Sequence, residues 1–249
     1  MITVKNSEEL ARMREACRIS AGALKAAADA VRPGVTTYEI DKAAYRYIEE
    51  HGAVPSFLGY GGFPATCCLS VNDEVIHGIP SHDRVVKEGD IVSIDVGAVY
   101  QGFHGDNATT VAVGEIPEET KRLLSVTEKS LYEGIGMVKP GNRIGDISHA
   151  VQSMVEAAGF SIVRDFVGHG VGAELHEDPQ IPNYGRAGHG PRMAPGMTLA
   201  IEPMVTAGGW QVWVTDNDWT VKTCDGSMAA HFEHTVLVTE TGFEILTVL

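Results

Sequence analysis

Two acidic residues interrupt apolar segments that are otherwise typical of buried strands. Asp95 lies within the segment IVSIDVGAV, and Glu202 lies within TLAIEPMV. Because desolvating an isolated carboxylate is costly, a buried acid has to be paired with a cation, protonated or bound to a metal ion. A single acidic residue would be better interpreted as part of a turn or an ion pair. Two of them in matching contexts indicate a shared chemical role.

A second acidic residue follows each of the first two. Asp106 in HGDNATTVAV and Glu233 in FEHTVLV both stand ahead of a β-branched segment that contains threonine and valine. If the segments of each half form a β-hairpin, the first acid on one strand faces the second acid on its neighbour. Four carboxylates brought together repel one another strongly without cations. We therefore expect two divalent metal ions in a binuclear cluster with shared oxygen ligands.

A nitrogen ligand would complete such a centre for a first-row transition metal. The candidate is His169, which lies between glycines in the segment VGHGVG. Glycines permit a close approach of the backbone to a bound group, although a lone histidine is more often a structural residue. One imidazole with four carboxylates favours manganese, iron or cobalt, with zinc also compatible, whereas magnesium would not need the imidazole.

The acids recur at a fixed distance along the chain. The segment VRPG at residues 31–34 matches VKPG at residues 138–141, which lie 107 positions later. The same offset relates Gly52 to Gly159 and Asp95 to Glu202. Two copies of this length are too long and too few for a solenoid. The pattern indicates a duplicated α+β unit.

Local signals predict two helices followed by strands. Ser7 is placed to cap a first helix that stops before Pro33-Gly34, and apolar residues recur along it at helical spacing. Thr36 and Glu39 form a capping-box pattern that opens a second helix, with Gly52 as its stop. Between residues 90 and 113, β-branched segments predict two strands that turn at residues 101–102.

These elements together predict an α+β fold. The simplest arrangement joins two related half-sheets through a pseudo-two-fold axis, with helices covering one face. No linker rich in proline or serine separates the halves. We therefore expect one domain over residues 1–249, with halves of approximately 1–115 and 116–249.

Composition excludes several classes of protein. The chain has 249 residues and a net charge of −14, with no run of Lys or Arg, which argues against nucleic-acid binding. No apolar segment is long enough to span a bilayer, and the N-terminal residues lack the features of a secretory signal. The four cysteines lack the spacing of a disulfide framework, and the adjacent Cys67 and Cys68 are expected to pack as thiols. We expect a cytoplasmic protein without membrane or nucleic-acid partners.

The five candidate ligands, in order and in context, resemble a known family. The contexts SIDVGA, GFHGDNATT, VGHGVG, AIEPMV and FEHTVLV are similar to the metal-ligand motifs of the pita-bread metallohydrolases. The wider text, including residues 56–80 and 218–235, resembles the type I methionine aminopeptidases over essentially the whole chain. The resemblance implies the pita-bread fold, a duplicated central antiparallel sheet covered by helices. It also implies removal of the initiator methionine from nascent polypeptides when the second residue is small and uncharged.

The resemblance assigns a role to each matching residue. It makes Asp106, His169 and Glu202 ligands of one metal ion, Asp95 a bidentate ligand of the other, and Asp106 and Glu233 shared ligands. Two histidines outside the ligand set also match the family: His77 contacts the substrate near the scissile amide, and His176 stabilises the tetrahedral intermediate. Glu202 is expected to carry a proton from the attacking water to the departing amine. The predicted catalytic residues are therefore His77, His176 and Glu202.

The resemblance also points to a pocket for the methionine side chain. Its predicted members are Tyr60, Phe63, Cys68 and Trp219, and ordinary core packing is an equal alternative for each of them. Many relatives carry an aromatic residue where this chain has Leu175, and a histidine near Gly61, so the shape of the pocket is expected to differ.

Two alternative functions stay open at this stage, and a third interpretation, a purely structural acidic protein, leaves the coincidence of Asp95 with Glu202 unexplained. Aminopeptidase P and prolidase relatives use the same five ligands, but they usually carry an N-terminal domain for which this chain has no room. Non-catalytic pita-bread binding modules characteristically lose metal ligands, whereas all five are present here. The expected partners are nascent polypeptide N-termini, with transient contact to the ribosome left open, and the chain is expected to be a monomer.

Overall fold

Four helices form in two pairs. The computed structural model describes residues 1–249. The helices are α1 (Ser7–Ala30), α2 (Thr37–Glu50), α3 (Glu118–Gly136) and α4 (Ile144–Ala157). No helix is both long enough and apolar enough to traverse a lipid bilayer.

The helix starts follow the predicted capping chemistry, with one correction. Thr36 and Glu39 form the predicted reciprocal capping box at the start of α2. At α1 the capping residue is Asn6, and the prediction of Ser7 is wrong by one position. The Asn6 side chain accepts hydrogen bonds from the backbone N–H groups of Glu8 and Glu9. The Glu9 carboxylate accepts the Asn6 N–H in return, so both ends of the box are satisfied.

The strands form one large sheet and two small ones, and every pairing is antiparallel. The strands are β1 (Val54–Pro55), β2 (Cys67–Val71), β3 (Glu74–Ile76), β4 (Ile91–Tyr100), β5 (Phe103–Ala112), β6 (Ser161–Ile162), β7 (Gly168–Gly170), β8 (Glu177–Ile181), β9 (Thr198–Ile201), β10 (Met204–Thr206), β11 (Val212–Val214), β12 (Val221–Thr223), β13 (Ala229–His231), β14 (Glu233–Val238) and β15 (Phe243–Ile245). The nine-stranded sheet has the order β1-β4-β5-β14-β9-β7-β8, with β2 paired to β4 and β15 to β14. The small sheets are β13-β10-β6 and β11-β12-β3.

The duplication inferred from the sequence is visible in the elements. Adding 107 to the bounds of α2, residues 37–50, gives the bounds of α4, residues 144–157. The pairing of Val54 with Val99 recurs as that of Ser161 with Thr206. Gly89 and Gly196, which the same offset relates, both have φ of +88°. The predicted α+β fold with internal duplication is confirmed, whereas the division near residue 115 stays a prediction.

The two halves differ in how their central strands are connected. In the first half β4 and β5 form the predicted hairpin, and its turn residues Gln101 and Gly102 have φ of +48° and +81°. These angles fit a two-residue turn between twisted strands. In the second half β9 pairs with β14, but strands β10 to β13 lie between them in sequence. The expectation of a hairpin in each half is therefore wrong for the second half.

The alternation of side chains along β4 places core residues on one face of the sheet and Asp95 on the other. Val92, Ile94 and Val96 of β4 pack in a buried cluster with residues of α1 and α2. A second cluster joins α3 and α4 to β9 in the same manner. Because successive side chains of a strand point to opposite faces, Asp95 lies on the face of the sheet away from the helices.

Candidate metal centre and substrate cavity

A cavity of about 140 Å³ opens on the face of the sheet away from the helices. It collects residues from both halves of the chain. Its lining residues are Phe57, Tyr60, Phe63, Cys68, His77, Asp95, Asp106, His169, Leu175, His176, Glu202, Trp219 and Glu233. The structure thus brings together all eleven residues that the sequence analysis selected for catalysis, substrate binding or metal binding.

Sheet register positions the four acids. Asp95 of β4 and Glu233 of β14 both pair with Ala108 of β5, so they flank that strand in one row. Asp106 pairs with Gly97, and it is therefore a diagonal neighbour of Asp95 and not its direct partner. The expectation that the two acids of a hairpin face each other directly is wrong, because the residue opposite Asp95 is Ala108, two positions after Asp106. The diagonal arrangement keeps them on one face.

His169 presents a free lone pair to these acids. It lies in β7, between β8 and β9. Its Nδ1 lies 2.9 Å from the carbonyl oxygen of Gly170, which only accepts, so Nδ1 carries the proton. Nε2 then faces the site as an acceptor, 3.8 Å from Asp106 Oδ2 and 3.6 Å from Glu202 Oε1. A hydrogen bond at one ring nitrogen that orients the other is typical of metal-binding histidines.

Burial makes the carboxyl groups hard to ionise without a cation. The pKa of Asp106 is raised to about 7 by desolvation. The pKa values of Asp95, Glu202 and Glu233 are raised well above their ordinary values, mainly by desolvation and then by the neighbouring acids. Burial lowers the pKa of His169 to about 4, so its imidazole is neutral at pH 7 and does not neutralise the cluster.

The donor set fits a divalent metal. Asp95 Oδ1, Asp106 Oδ1 and Glu233 Oε1 are buried and have no hydrogen-bond partner. No lysine or arginine lies within ion-pair distance of the four acids. The only basic side chains within that distance are the imidazoles of His169 and His231. One donor atom each from Asp106, His169 and Glu233 lie within 4.8 Å of one another. Hard carboxylate oxygens with one imidazole nitrogen form a suitable shell for a first-row divalent ion.

The two predicted catalytic histidines line the same cavity. His176 is exposed at its mouth, where its Nδ1 lies 2.7 Å from the Tyr60 hydroxyl. His77 lies deeper, and its ring meets those of Phe166 and Trp219 edge-on. Burial lowers the pKa of both histidines, that of His77 to about 4, so both are neutral at pH 7. His77 has φ of +58°, which is strained for a non-glycine residue and is common at functional sites.

Apolar side chains form the remaining wall. Phe57, Phe63, Cys68 and Leu175 are buried together, and Trp219 packs against them. Phe57 was not selected from the sequence, although it stands beside the predicted pocket segment. Cys67 and Cys68 are buried free thiols in separate clusters, as the packing interpretation requires.

One further residue beside the acids was missed. His231 is 1% exposed, and its Nε2 lies 3.5 Å from Glu202 Oε2. The sequence does carry a signal for it, because a histidine stands two residues before each second acid: His104 before Asp106 and His231 before Glu233. His104 and Asp106 share β5, where that spacing places both side chains on one face, whereas His231 ends β13 and Glu233 begins β14.

The curled antiparallel sheet and the acidic cavity at its centre define a metal-dependent hydrolase of the pita-bread class. The model of metallopeptidase family M24 matches residues 11–240. The chain belongs to this family.

Its relatives narrow the class further. The chain is 55% identical over 247 residues to methionine aminopeptidase 1 of Bacillus subtilis and 53% identical over 247 residues to methionine aminopeptidase of Clostridium acetobutylicum, with 99% of each chain covered. The crystal structure of methionine aminopeptidase from Thermotoga maritima superimposes with a TM-score of 0.99 at 51% identity, over 100% of both chains. Prolidase from Pyrococcus furiosus shares the fold at 23% identity and a TM-score of 0.77, with 99% of this chain and 65% of that one covered.

Proposed function

We propose that the protein is a methionine aminopeptidase that removes the initiator methionine from nascent polypeptides whose second residue is small and uncharged. The observation that carries this proposal is a single cavity in which a buried acid cluster suited to metal ions adjoins an apolar wall. The similarity of the chain to methionine aminopeptidases along its full length supports it. We also expect the protein to act in the cytoplasm as a monomer, with at most transient contact to the ribosome.

Two divalent ions, drawn from cobalt, manganese, iron or zinc, are proposed as the cofactor. Asp106, His169 and Glu202 would hold one ion, Asp95 the other, and Asp106 and Glu233 would be shared. The unpartnered oxygens of three of these acids support the assignment. When bound, such ions lower the pKa of water to near neutrality, anchor the substrate amine and polarise the scissile carbonyl.

The residues of the chain itself orient the substrate and move protons. If Tyr60 donates its hydroxyl proton to His176 Nδ1, the opposite nitrogen of that ring carries a proton and can donate to the carbonyl oxygen of the substrate. His77, whose ring meets those of Phe166 and Trp219 edge-on, would contact the amide nitrogen of the substrate. Glu202, whose Oε1 lies 3.6 Å from His169 Nε2 in the acid cluster, would accept a proton from the attacking water and deliver it to the departing amine.

The apolar wall supports methionine as the first residue of the substrate. Phe63 and Cys68 are buried beside the acids, and Trp219 meets Phe63 edge-on with ring centroids 5.1 Å apart. Aromatic and sulfur-containing surfaces make favourable contacts with a thioether. A short side chain at this position would leave the apolar wall unfilled. A charged side chain would bury its charge against that wall.

The test is a comparison of peptides on metal-free protein to which Mn, Fe, Co or Zn is returned. We expect metal-dependent release of methionine from Met-Ala-Ser and much slower cleavage of Leu-Ala-Ser and Xaa-Pro-Ala peptides. A preference for Xaa-Pro-Ala would favour a prolidase-type function. The absence of methionine release with every metal would contradict the proposal.

A further inference from the structure

His231 is a buried imidazole for which neither the fold nor the proposed reaction has so far given a role. The residue ends β13, where it pairs with Met204 of β10. Its Nε2 has no hydrogen-bond partner and no exposure to solvent. An unsatisfied buried polar atom costs about 1–3 kcal/mol, so a leucine or phenylalanine would be the cheaper occupant of a purely structural position.

A residue of the first half of the chain, Thr110, holds the backbone of His231 by hydrogen bonds. The Thr110 hydroxyl donates to the His231 carbonyl oxygen at 2.8 Å and accepts from the His231 N–H at 2.9 Å. Thr110 is in turn 2.8 Å from the Ser93 hydroxyl of β4. The imidazole is therefore carried by a strand end that both halves of the sheet hold in place.

The ring points at one particular oxygen of the acid cluster. His231 Nε2 lies 3.5 Å from Glu202 Oε2, whereas His169 Nε2 lies 3.6 Å from Glu202 Oε1. The two imidazoles thus flank the two oxygens of one carboxylate. Glu202 follows the end of β9 and precedes Pro203, so it lies outside the hydrogen-bonded part of the sheet, whereas Asp106 lies within β5. A hydrogen bond from a residue outside the acid cluster would keep the Glu202 carboxylate from rotating.

We propose that His231 is a positioning residue for Glu202, donating a hydrogen bond from Nε2 to Oε2 so that Oε1 stays directed toward the site shared with His169. This inference rests on the proposed function, in which Glu202 is a metal ligand and proton carrier. Outer hydrogen bonds of this kind orient metal-binding carboxylates, and their loss typically weakens metal affinity by about 10–100-fold. His231 does not line the cavity, so its role is distinct from substrate contact.

The test compares three variants with the unchanged chain. His231→Leu removes the donor and keeps an apolar side chain of similar reach, and His231→Gln returns an N–H donor. His234→Leu is the matched control. It removes an imidazole next to Glu233 whose ring nitrogens lie 2.9 Å from the Thr247 hydroxyl and 3.2 Å from the Tyr132 hydroxyl, away from the acids.

The primary measurement is calorimetric titration of each metal-free protein with MnCl₂. We expect His231→Leu to bind manganese about 10–100-fold more weakly, His231→Gln to recover most of the affinity, and His234→Leu to bind as the unchanged chain does. With Met-Ala-Ser as substrate, kcat should fall in His231→Leu while KM changes less than about threefold, because the apolar wall is untouched. Equal manganese affinity in His231→Leu and the unchanged chain would overturn the proposal, as would equal impairment in His231→Leu and His231→Gln.

A measurement on the unchanged chain covers the case in which His231→Leu does not fold. In ¹⁵N-histidine spectra of the zinc-loaded protein, His231 should carry its proton on Nε2, and this N–H should exchange slowly with solvent. A proton on Nδ1, with Nε2 bound to zinc, would overturn the positioning role. If manganese binding behaves as expected but no methionine is released, the proposed substrate is wrong while the role of His231 stands.

Discussion

At the scale of single residues, ionisation and metal binding form one equilibrium in the acid cluster. The carboxyl groups are buried beside one another, and the imidazole nearest to them is neutral. In the absence of metal the cluster therefore retains protons that an exposed acid would lose by pH 5. Metal ions replace these protons, so proton release accompanies metal binding.

Asp95→Asn should reduce metal loading and turnover together. The amide keeps the shape of the side chain but supplies no negative charge. Loss of a residue that only hydrogen-bonds to a ligand weakens metal affinity by about 10–100-fold, and loss of a ligand itself should cost more. We expect manganese affinity to fall by more than about 100-fold, with little change in the circular dichroism spectrum. Asp83→Asn, in an exposed loop, is the control. Full activity in Asp95→Asn would contradict the assignment of Asp95 as a ligand.

Metal affinity should rise with pH between pH 6 and 8. Burial raises the pKa of Asp106 to about 7, so below that pH the folded, metal-free protein holds a proton that the metal has to displace. The pKa of His169 is about 4, so this ligand is already neutral and adds no dependence between pH 6 and 8. The pKa values of Asp95, Glu202 and Glu233 are also raised, and each acid that is still protonated weakens binding by about tenfold for each pH unit below its pKa. Titration with MnCl₂ at pH 6, 7 and 8 tests this, and an affinity that does not change would refute it.

At the scale of elements, the loop that carries His176 is anchored by a segment from the other end of the chain. Lys5 and Glu177 form an ion pair at 2.7 Å, with side chains 4% and 9% exposed. The Lys5 N–H donates to the Gly196 carbonyl oxygen at 2.9 Å, which joins this segment to the second half. Gly172 leaves the room for the pair, since a Cβ there would lie 2.4 Å from Glu177 Oε1.

Lys5→Met should destabilise the fold strongly. It leaves the Glu177 carboxylate buried without its cation, and breaking a buried pair in this way costs about 3–5 kcal/mol. Arg14→Met is the control because the Arg14 pair with Glu244 has side chains 46% and 40% exposed, and exposed pairs contribute at most about 1 kcal/mol. Urea unfolding of the two variants measures the difference. Similar losses in both would show that burial of the Lys5 pair has no special effect.

The duplicated turns make a second prediction about elements. Gly34 and Gly141, one in each half, have φ of +88° and +89°, and a Cβ at either would meet nothing within 4 Å. Alanine at either position should therefore cost about 1–2 kcal/mol from backbone strain alone. Gly136→Ala, in α3 with equally open surroundings, should be neutral or stabilising by up to about 1 kcal/mol. Thermal unfolding of the three variants measures this, and clearly unequal losses at the first two positions would contradict their equivalence.

At the scale of the whole molecule, the acid cluster exists only where the two halves meet. Asp95 and Asp106 come from the first half, Glu202 and Glu233 from the second, and β5 pairs with β14 between them. Each half buries its own core under its own pair of helices. Burial and mutual repulsion of the ionised acids therefore oppose the joining of the halves, and bound cations favour it.

Removal of metal should lower the melting temperature of the whole chain. A ligand at 100 times its Kd stabilises the folded state by about 2.7 kcal/mol, which for a chain of this length corresponds to about 5–11 °C. Calorimetry with excess manganese and then with EDTA measures the shift. Asp95→Asn should show a much smaller shift in the same comparison. A melting temperature that EDTA leaves unchanged would argue against a metal ion bound to the folded protein.

The sequence by itself predicted the duplication, the first two helices, the first hairpin and the candidate residues of the site. The offset of 107 residues predicted the duplication, because two copies of one fold retain the same helix starts and turn glycines. Carboxylates inside apolar strands marked the site, because the cost of burying a charge leaves few alternatives. These signals are local, and they need only the residue types and their spacing.

Only the tertiary structure decided the strand register and the contacts between residues far apart in the chain. The diagonal relation of Asp95 and Asp106 follows from the pairing of β4 with β5. The separation of β9 from β14 by four intervening strands also became visible only in the fold. The same holds for His231, which lies 29 residues after Glu202 and meets it through β10 and β13. Such contacts are set by packing between residues far apart in the chain. The spacing of His231 and Glu233 draws attention to the histidine, but it does not identify Glu202 as its neighbour.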